Sequence, residues 1–238
     1  MGDNLKVIEA ENVSYNYPDG STGVRDITLE ILEGERIALV GANGSGKSTL
    51  ILLLAGLLKP TKGSLRIFGK VVDKKNVEEV RKKIGVVFQN PDDFLFNPTV
   101  RDELLYVPRQ LEWSDEEMMR AVNHYSEIFR IGHVLDKPPF RLSGGEKKKV
   151  EIASVLIYKP EVLLLDEPTA YVDGKTRRLI LRILDDFDGT LIIATHELDV
   201  AEKLADKFVL LNLDHRIEEI GGKEILKNEE LLEKAGVI

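Results

Sequence analysis

Nine residues, Gly41 to Thr49, read GANGSGKST. They match the spacing G-x-x-x-x-G-K-[S/T], and they restrict the fold more than any other stretch of the chain. The run before them, RIALV, is a short apolar strand, and the run after them, LILLLAGLL, is apolar over a helical length. Strand, glycine turn and helix in that order make a loop whose backbone N–H groups point inward at a helix N-terminus, where the helix dipole favours an anion. Gly41, Gly44 and Gly46 let the backbone turn. Lys47 is then placed to reach the β- and γ-phosphates of a nucleotide, and the Ser48 hydroxyl to ligate Mg²⁺. Asn43, Gly44, Ser45, Gly46, Lys47, Ser48 and Thr49 form the candidate cofactor-binding set.

The pattern around this loop is that of an α/β protein. Strands are expected near Lys6–Glu9, Ile27–Leu32 and Arg36–Val40, with SLRIFGKVV as a further hairpin arm and IGVVFQ as a buried strand. A helix is expected from Lys47 to about Leu58, stopping before Pro60. From Asn97 to Arg130 the pattern turns helical, clearest in SDEEMMRAVNHYSEIF. Thereafter helix and strand alternate: helix 146–158, strand 162–165, helix 175–187, strand 191–194, helix 198–204, strand 207–211. Apolar strands alternating with helices imply a mainly parallel sheet covered on both faces. The expected architecture is a P-loop NTPase core with an N-terminal antiparallel β part and an inserted α-helical lobe at about 97–145, together forming one domain over residues 1–238.

Two further motifs add chemistry. VLLLDEP, Val162 to Pro168, is an apolar strand ending in two acids. α/β sheets bind ligands at the carboxyl ends of their strands, so Asp166 is a candidate for holding Mg²⁺ through its water shell and Glu167 for orienting or deprotonating a water. LSGGE, Leu142 to Glu146, contains S-x-x-E, the spacing of a helix capping box. Ser114 and Glu117 have the same spacing and serve as an internal control. Only the first pair encloses two glycines, Gly144 and Gly145, which bare a helix N-terminus to an approaching phosphate. The lysines that follow, Lys147–Lys149, are ambiguous, and in the plainer reading they are no more than a solvated helix face. Gln89, ending IGVVFQ, is placed to reach the metal. His196, following LIIAT, falls at the ligand edge of the sheet, and Tyr17, in YNYPDG, is placed to stack on a base.

Composition closes off other classes. The chain has 238 residues and a formal charge of -8, which argues against a general nucleic-acid binder. It has no cysteine, so neither a disulfide framework nor a thiolate metal site is expected. The opening MGDNLKVIEA lacks the pattern of a signal peptide. The longest apolar run is far short of the about 20 residues that cross a bilayer, so any membrane role must come through a partner.

In their order along the chain, the glycine loop, Gln89, LSGGE, VLLLDEP and His196 resemble the nucleotide-binding subunit of ABC transporters. The resemblance runs from Tyr17 to His196. It implies ATP with Mg²⁺ as cofactors, adenine stacked on Tyr17, Glu167 as general base, and His196 and Gln89 at the γ-phosphate and the attacking water. It also implies a second ATPase subunit, the same or different, paired head to tail so that Ser143, Gly144 and Gly145 bind the partner's nucleotide, and an integral membrane subunit at the cytoplasmic face of the cell membrane. VFQNPDDFLFNPTV and YPDG look like the ATPases of energy-coupling factor transporters, importers of vitamins and of cobalt or nickel. Phe94 stands where those proteins usually have glutamine, and Tyr171 and Val172 are bulkier than the family's residues before Asp173. Phe94 is the residue of this segment expected to be exposed and to dock the membrane partner. A soluble ABC ATPase and a P-loop kinase or GTPase are the competing classes; the second needs no LSGGE, and the guanine-reading N-K-x-D is missing from the sequence.

Overall fold

The computed structural model describes residues 5–73 and 76–238. In chain order the elements are β1 (Lys6–Asn16), β2 (Thr22–Leu32), β3 (Arg36–Gly41), α1 (Lys47–Leu54), β4 (Lys62–Ile67), β5 (Lys70–Val71), α2 (Val77–Arg81), β6 (Ile84–Val87), α3 (Val100–Gln110), α4 (Asp115–Ile128), α5 (Gly144–Leu156), β7 (Val162–Asp166), α6 (Gly174–Asp185), β8 (Thr190–Thr195), α7 (Leu198–Leu204), β9 (Lys207–Leu211), β10 (Ile217–Gly221) and α8 (Glu229–Lys234).

The chain clusters into two compact units. The first holds the residues up to Gly85 together with Glu161–Glu167 and Phe187–Ile238; the second holds Val86–Pro160 and Pro168–Asp186. The first unit carries both sheets. One is antiparallel, in the order β2-β1-β4-β5, and the other follows β10-β9-β3-β8-β7-β6. β3, β7, β8 and β9 run parallel, and β10 closes the edge antiparallel to β9. The parallel strands are buried along almost their whole length, VLLLD and TLIIAT completely, so they read as continuous apolar runs rather than alternations. Register fixes which ends meet: Val40 lies beside Thr195, and Asp166 beside Ala194. The residues that follow β3, β8 and β7 therefore leave adjacent strands at one edge. The second unit is built on α3, α4, α5 and α6, and the helical lobe expected at 97–145 lies inside it.

Several boundaries differ from the sequence reading. β1 and β2 are each 11 residues long, because the residues after the expected core of β1 and before that of β2 continue the pairing through irregular register steps. α1 ends at Leu54, not near Leu58: Gly56 adopts a left-handed φ of 67° and breaks the helix. β6 ends at Val87, which leaves Phe88 and Gln89 outside the strand. α5 begins at Gly144, so the two glycines are themselves its first turn.

Candidate nucleotide site

The first unit brings together the glycine loop, Asp166, Glu167, His196 and Tyr17. Gly44 and Gly46 have φ of 84° and 100°, which side chains resist. At Gly46 an added Cβ would fall 2.2 Å from the Gly23 carbonyl oxygen, and at Gly41 2.4 Å from the Leu211 carbonyl oxygen. The cradle thus exists only with glycine at these positions. Lys47 is buried, and its Nζ donates to the carbonyls of Gly41 and Ala42 at 2.8 and 2.9 Å. Burial pushes its ammonium down from the usual lysine value, and the carboxylates of Glu167 and Asp166 pull it back up. Lys47 is a desolvated cation held by the loop's own carbonyls, the state that a phosphate would relieve. Ser45 adds a buried hydroxyl with no hydrogen-bond partner among the described residues, and Asn43 and Ser48 are exposed at the mouth of the loop. The residues present fit a nucleotide triphosphate. They also fit Mg²⁺, which needs few protein oxygens once phosphates supply the rest: Asp166 ends β7 and Ser48 lies in the first turn of α1.

Glu167 is the most constrained residue of the edge. Buried, with a left-handed φ of 46°, it sits in a conformation that costs a non-glycine residue about 1–3 kcal/mol. Its carboxylate accepts from Thr195 Oγ1 at 3.1 Å, from the His196 backbone N–H at 3.1 Å and from His196 Nδ1 at 2.7 Å. A carboxylate oxygen accepts, so Nδ1 is the donor in the 2.7 Å contact. Two of the three bonds use Oε1 and one uses Oε2, which leaves Oε2 an acceptor site for a water. Tyr17 is half-buried: its hydroxyl bonds Thr49 Oγ1 at 2.9 Å, and its ring packs edge-on to Tyr15 with centroids 5.0 Å apart.

The second unit carries Gln89, Ser143, Gly144 and Gly145. Ser143 caps α5 through a complete capping box with Glu146, and Ser114 caps α4 in the same way with Glu117. The first turns then diverge. α4 opens with Asp115, Glu116 and Glu117, whereas α5 has Glu146 as its one acid there. An anion would be repelled at α4 and admitted at α5. The lysines after the glycines are not a solvated face. Lys147 pairs with Asp92 at 2.6 Å, and Lys148 is only 1% exposed. Lys148 Nζ donates to the carbonyls of Phe88 and Gln89 and lies 2.9 Å from Glu151 Oε2, while Glu151 Oε1 accepts from the Phe88 N–H. This buried pair ties the segment at Gln89 to α5. Nothing in single-residue reasoning pointed to Thr195, Gly23 or Glu151; the EIASVL pattern places Glu151 on the buried side of α5, and that is its one signal. Ala235 escaped notice too, although its carbonyl accepts from the Ala42 N–H in the glycine loop.

One expectation is corrected. Phe94 is half-buried, its ring tilted against Phe88 with centroids 6.2 Å apart. The exposed aromatic of this segment is Phe96, 67% exposed and edge-on to Tyr106. Tyr171 is exposed with a left-handed φ of 61°, and Asp173 caps α6 by accepting from the N–H groups of Lys175 and Thr176.

Residues 24–170 match the family model described as ABC transporter. The chain belongs to the ABC transporter family. It is 84% identical over its whole length to an ABC transporter ATP-binding protein of Archaeoglobus fulgidus, itself fully covered. It is 40% identical to the energy-coupling factor transporter ATP-binding protein EcfA of Carboxydothermus hydrogenoformans, over 97% of this chain and 86% of that one. Among solved structures it resembles cbiO1 of Clostridium perfringens, described as part of the ABC transporter complex cbiONQ, with a TM-score of 0.81 and 34% identity over 98% of this chain and 95% of that one. The fold is that of an ABC ATPase, and the chain is an ATP-binding, ATP-hydrolysing member of the family. Among the described residues no helix is long and apolar enough to cross a membrane.

Proposed function

We propose that this ATPase powers an importer of small molecules, a vitamin or a transition-metal ion, as a peripheral subunit on the cytoplasmic face of a membrane complex. The observation that carries the catalytic part is the Glu167 carboxylate, locked by Thr195 and His196 at the strand edge next to the glycine loop. In this reading ATP lies with its phosphates in the loop Asn43–Thr49 and its adenine on Tyr17. Mg²⁺, held by Ser48, Asp166 and Gln89, would neutralise the β- and γ-oxygens. Water attacks the γ-phosphorus, its proton passes to the free acceptor site of Glu167, and the bond to the ADP oxygen breaks. His196 donates to the γ-phosphate through an Nε2–H while its Nδ1–H stays on Glu167, and Gln89 orients the water. Lys47 stabilises charge developing on the transferred group.

The bare first turn of α5 supports a second role. Ser143, Gly144 and Gly145 receive the γ-phosphate of a nucleotide held by a second ATPase subunit, either another copy or a related chain. ATP then joins the two subunits, and hydrolysis releases them. The membrane subunit converts that cycle into transport, and the similarity to EcfA and to cbiO1 supports an importer of the energy-coupling factor type.

Glu167→Gln tests the chemistry, because an amide cannot take the proton. The variant should bind ATP as tightly as the wild type and release phosphate at least about 100-fold more slowly, on the scale of general-base loss. Near wild-type turnover in a phosphate-release assay would remove Glu167 from the role of base.

A further inference from the structure

The second unit contains a cavity of about 410 Å³ that the nucleotide chemistry does not use. Five cations line it, Arg130, Lys149, Lys175, Arg178 and Arg182, against one carboxylate, Asp173. The chain as a whole has 41 acids to 33 bases, so this ratio runs against its composition. The cations come from separate elements: Arg130 follows α4, Lys149 is on α5, and Lys175, Arg178 and Arg182 share one stripe of α6.

Several other long basic side chains of the unit pair with carboxylates, among them Lys147 with Asp92, Arg101 with Asp136 and Arg109 with Asp102. None of the five cavity cations has a carboxylate within ion-pair distance among the described residues. Asp173 acts on Lys149 only at longer range, as Glu146 does, and its oxygens are engaged elsewhere. Its oxygens accept from the Lys175 and Thr176 N–H groups and from Thr176 Oγ1 at 2.8, 3.0 and 2.6 Å. These bonds hold it ionised down to about 2. The other polar lining groups are engaged too, Thr176 with Asp173 and His133 with Glu146 at 3.1 Å. Lys149 is half-buried, and burial is the largest influence pushing its ammonium down. Like charges on one helix stripe repel, and a half-desolvated ammonium gains from an anion. Arginine forks match phosphate oxygens two at a time. The volume falls in the range of small-molecule sites.

We propose that this cavity binds a small anion bearing two or more phosphate groups, clasped by Arg130 and Lys149 on one side and by Lys175, Arg178 and Arg182 on the other. Two sources supply that chemistry: a free polyphosphate, and the headgroup of an anionic lipid. Occupancy links α4, α5 and α6, and α5 carries Ser143–Gly145 at its first turn. The inference does not depend on the proposed transport role.

The test is calorimetry on the full chain with the glycine loop saturated by ADP in magnesium-free buffer at low salt, titrated with inorganic tripolyphosphate. One saturable site is expected, weakened at least about tenfold in R178E/R182E, with melting temperature and ADP affinity unchanged. R130Q, a milder change, should weaken the same site if the double variant folds poorly. Vesicle flotation separates the sources. Binding to vesicles containing cardiolipin, whose headgroup carries two phosphates, but not to phosphatidylcholine alone, abolished by tripolyphosphate and by R178E/R182E, assigns a lipid headgroup. Tripolyphosphate binding without flotation assigns a soluble anion. The proposal is overturned if wild type shows no saturable binding of tripolyphosphate, or if folded R178E/R182E and R130Q both bind it as tightly as wild type.

Discussion

Glu167 combines a left-handed backbone, burial and three accepted hydrogen bonds. Strain of this kind persists where surrounding contacts over-determine it, and here the partners are the strand end that also delivers His196. Tyr17 is simpler, an aromatic face whose hydroxyl is fixed on Thr49, the last residue of the loop motif. Tyr17→Ala should weaken ATP binding by about 1–3 kcal/mol, the scale of base–aromatic stacking. Tyr17→Phe should keep most of that affinity while losing about 0.5–1.5 kcal/mol of stability with the Thr49 bond. Calorimetry and thermal melts measure both, and equal affinity of the alanine variant would refute stacking. At this scale the motif residues were legible because their identity carries their chemistry. Thr195 was not, since one threonine ending a strand looks like any other. Gly23 hid for the same reason, although a Cβ there would come within 2.6 Å of the Thr49 methyl.

At the scale of elements, α5 does two jobs. Its first turn is bare, and its buried face holds Lys148 and Glu151 against the Phe88–Gln89 backbone. Removing one member strands a buried charge, so Lys148→Met should cost about 3–5 kcal/mol in denaturant unfolding, whereas K148M/E151L should recover most of it. If the single variant unfolds like wild type, the pair does not hold this segment. Strand and helix order was readable because apolar runs and glycine turns alternate regularly. Boundaries were less so: Gly56 cut α1 short, and β10 and α8 passed unseen. The five residues of β10 are only half-buried or exposed, and α8 is six residues long, too short for a helical period to register. Charge runs misled most. KKK reads as solvent-facing, yet its three lysines go to an ion pair, a buried clamp and a cavity wall.

At the scale of the whole molecule, the candidate chemistry is divided. The first unit holds the glycine loop, Asp166, Glu167 and His196, while the second holds Gln89, Ser143–Gly145 and the aromatic segment after Gln89. That segment offers Phe96 rather than Phe94 to a partner. Phe96→Asp should leave stability and ATP binding nearly intact and weaken copurification with an integral membrane subunit by about thirtyfold in affinity, the loss expected for one apolar anchor. Phe94→Asp should instead lower the melting temperature by disturbing the Phe88 contact. A Phe96 variant that copurifies fully would move the dock elsewhere. The central claim is that ATP itself joins two such subunits until Glu167 triggers its hydrolysis. The most direct measurement is the molar mass of Glu167→Gln by light scattering, with and without Mg-ATP. The account predicts one mass without nucleotide and its double with Mg-ATP, held without phosphate release. A mass that Mg-ATP leaves unchanged, at concentrations where ATP binding is saturated, would contradict the joining of two copies of this chain by ATP.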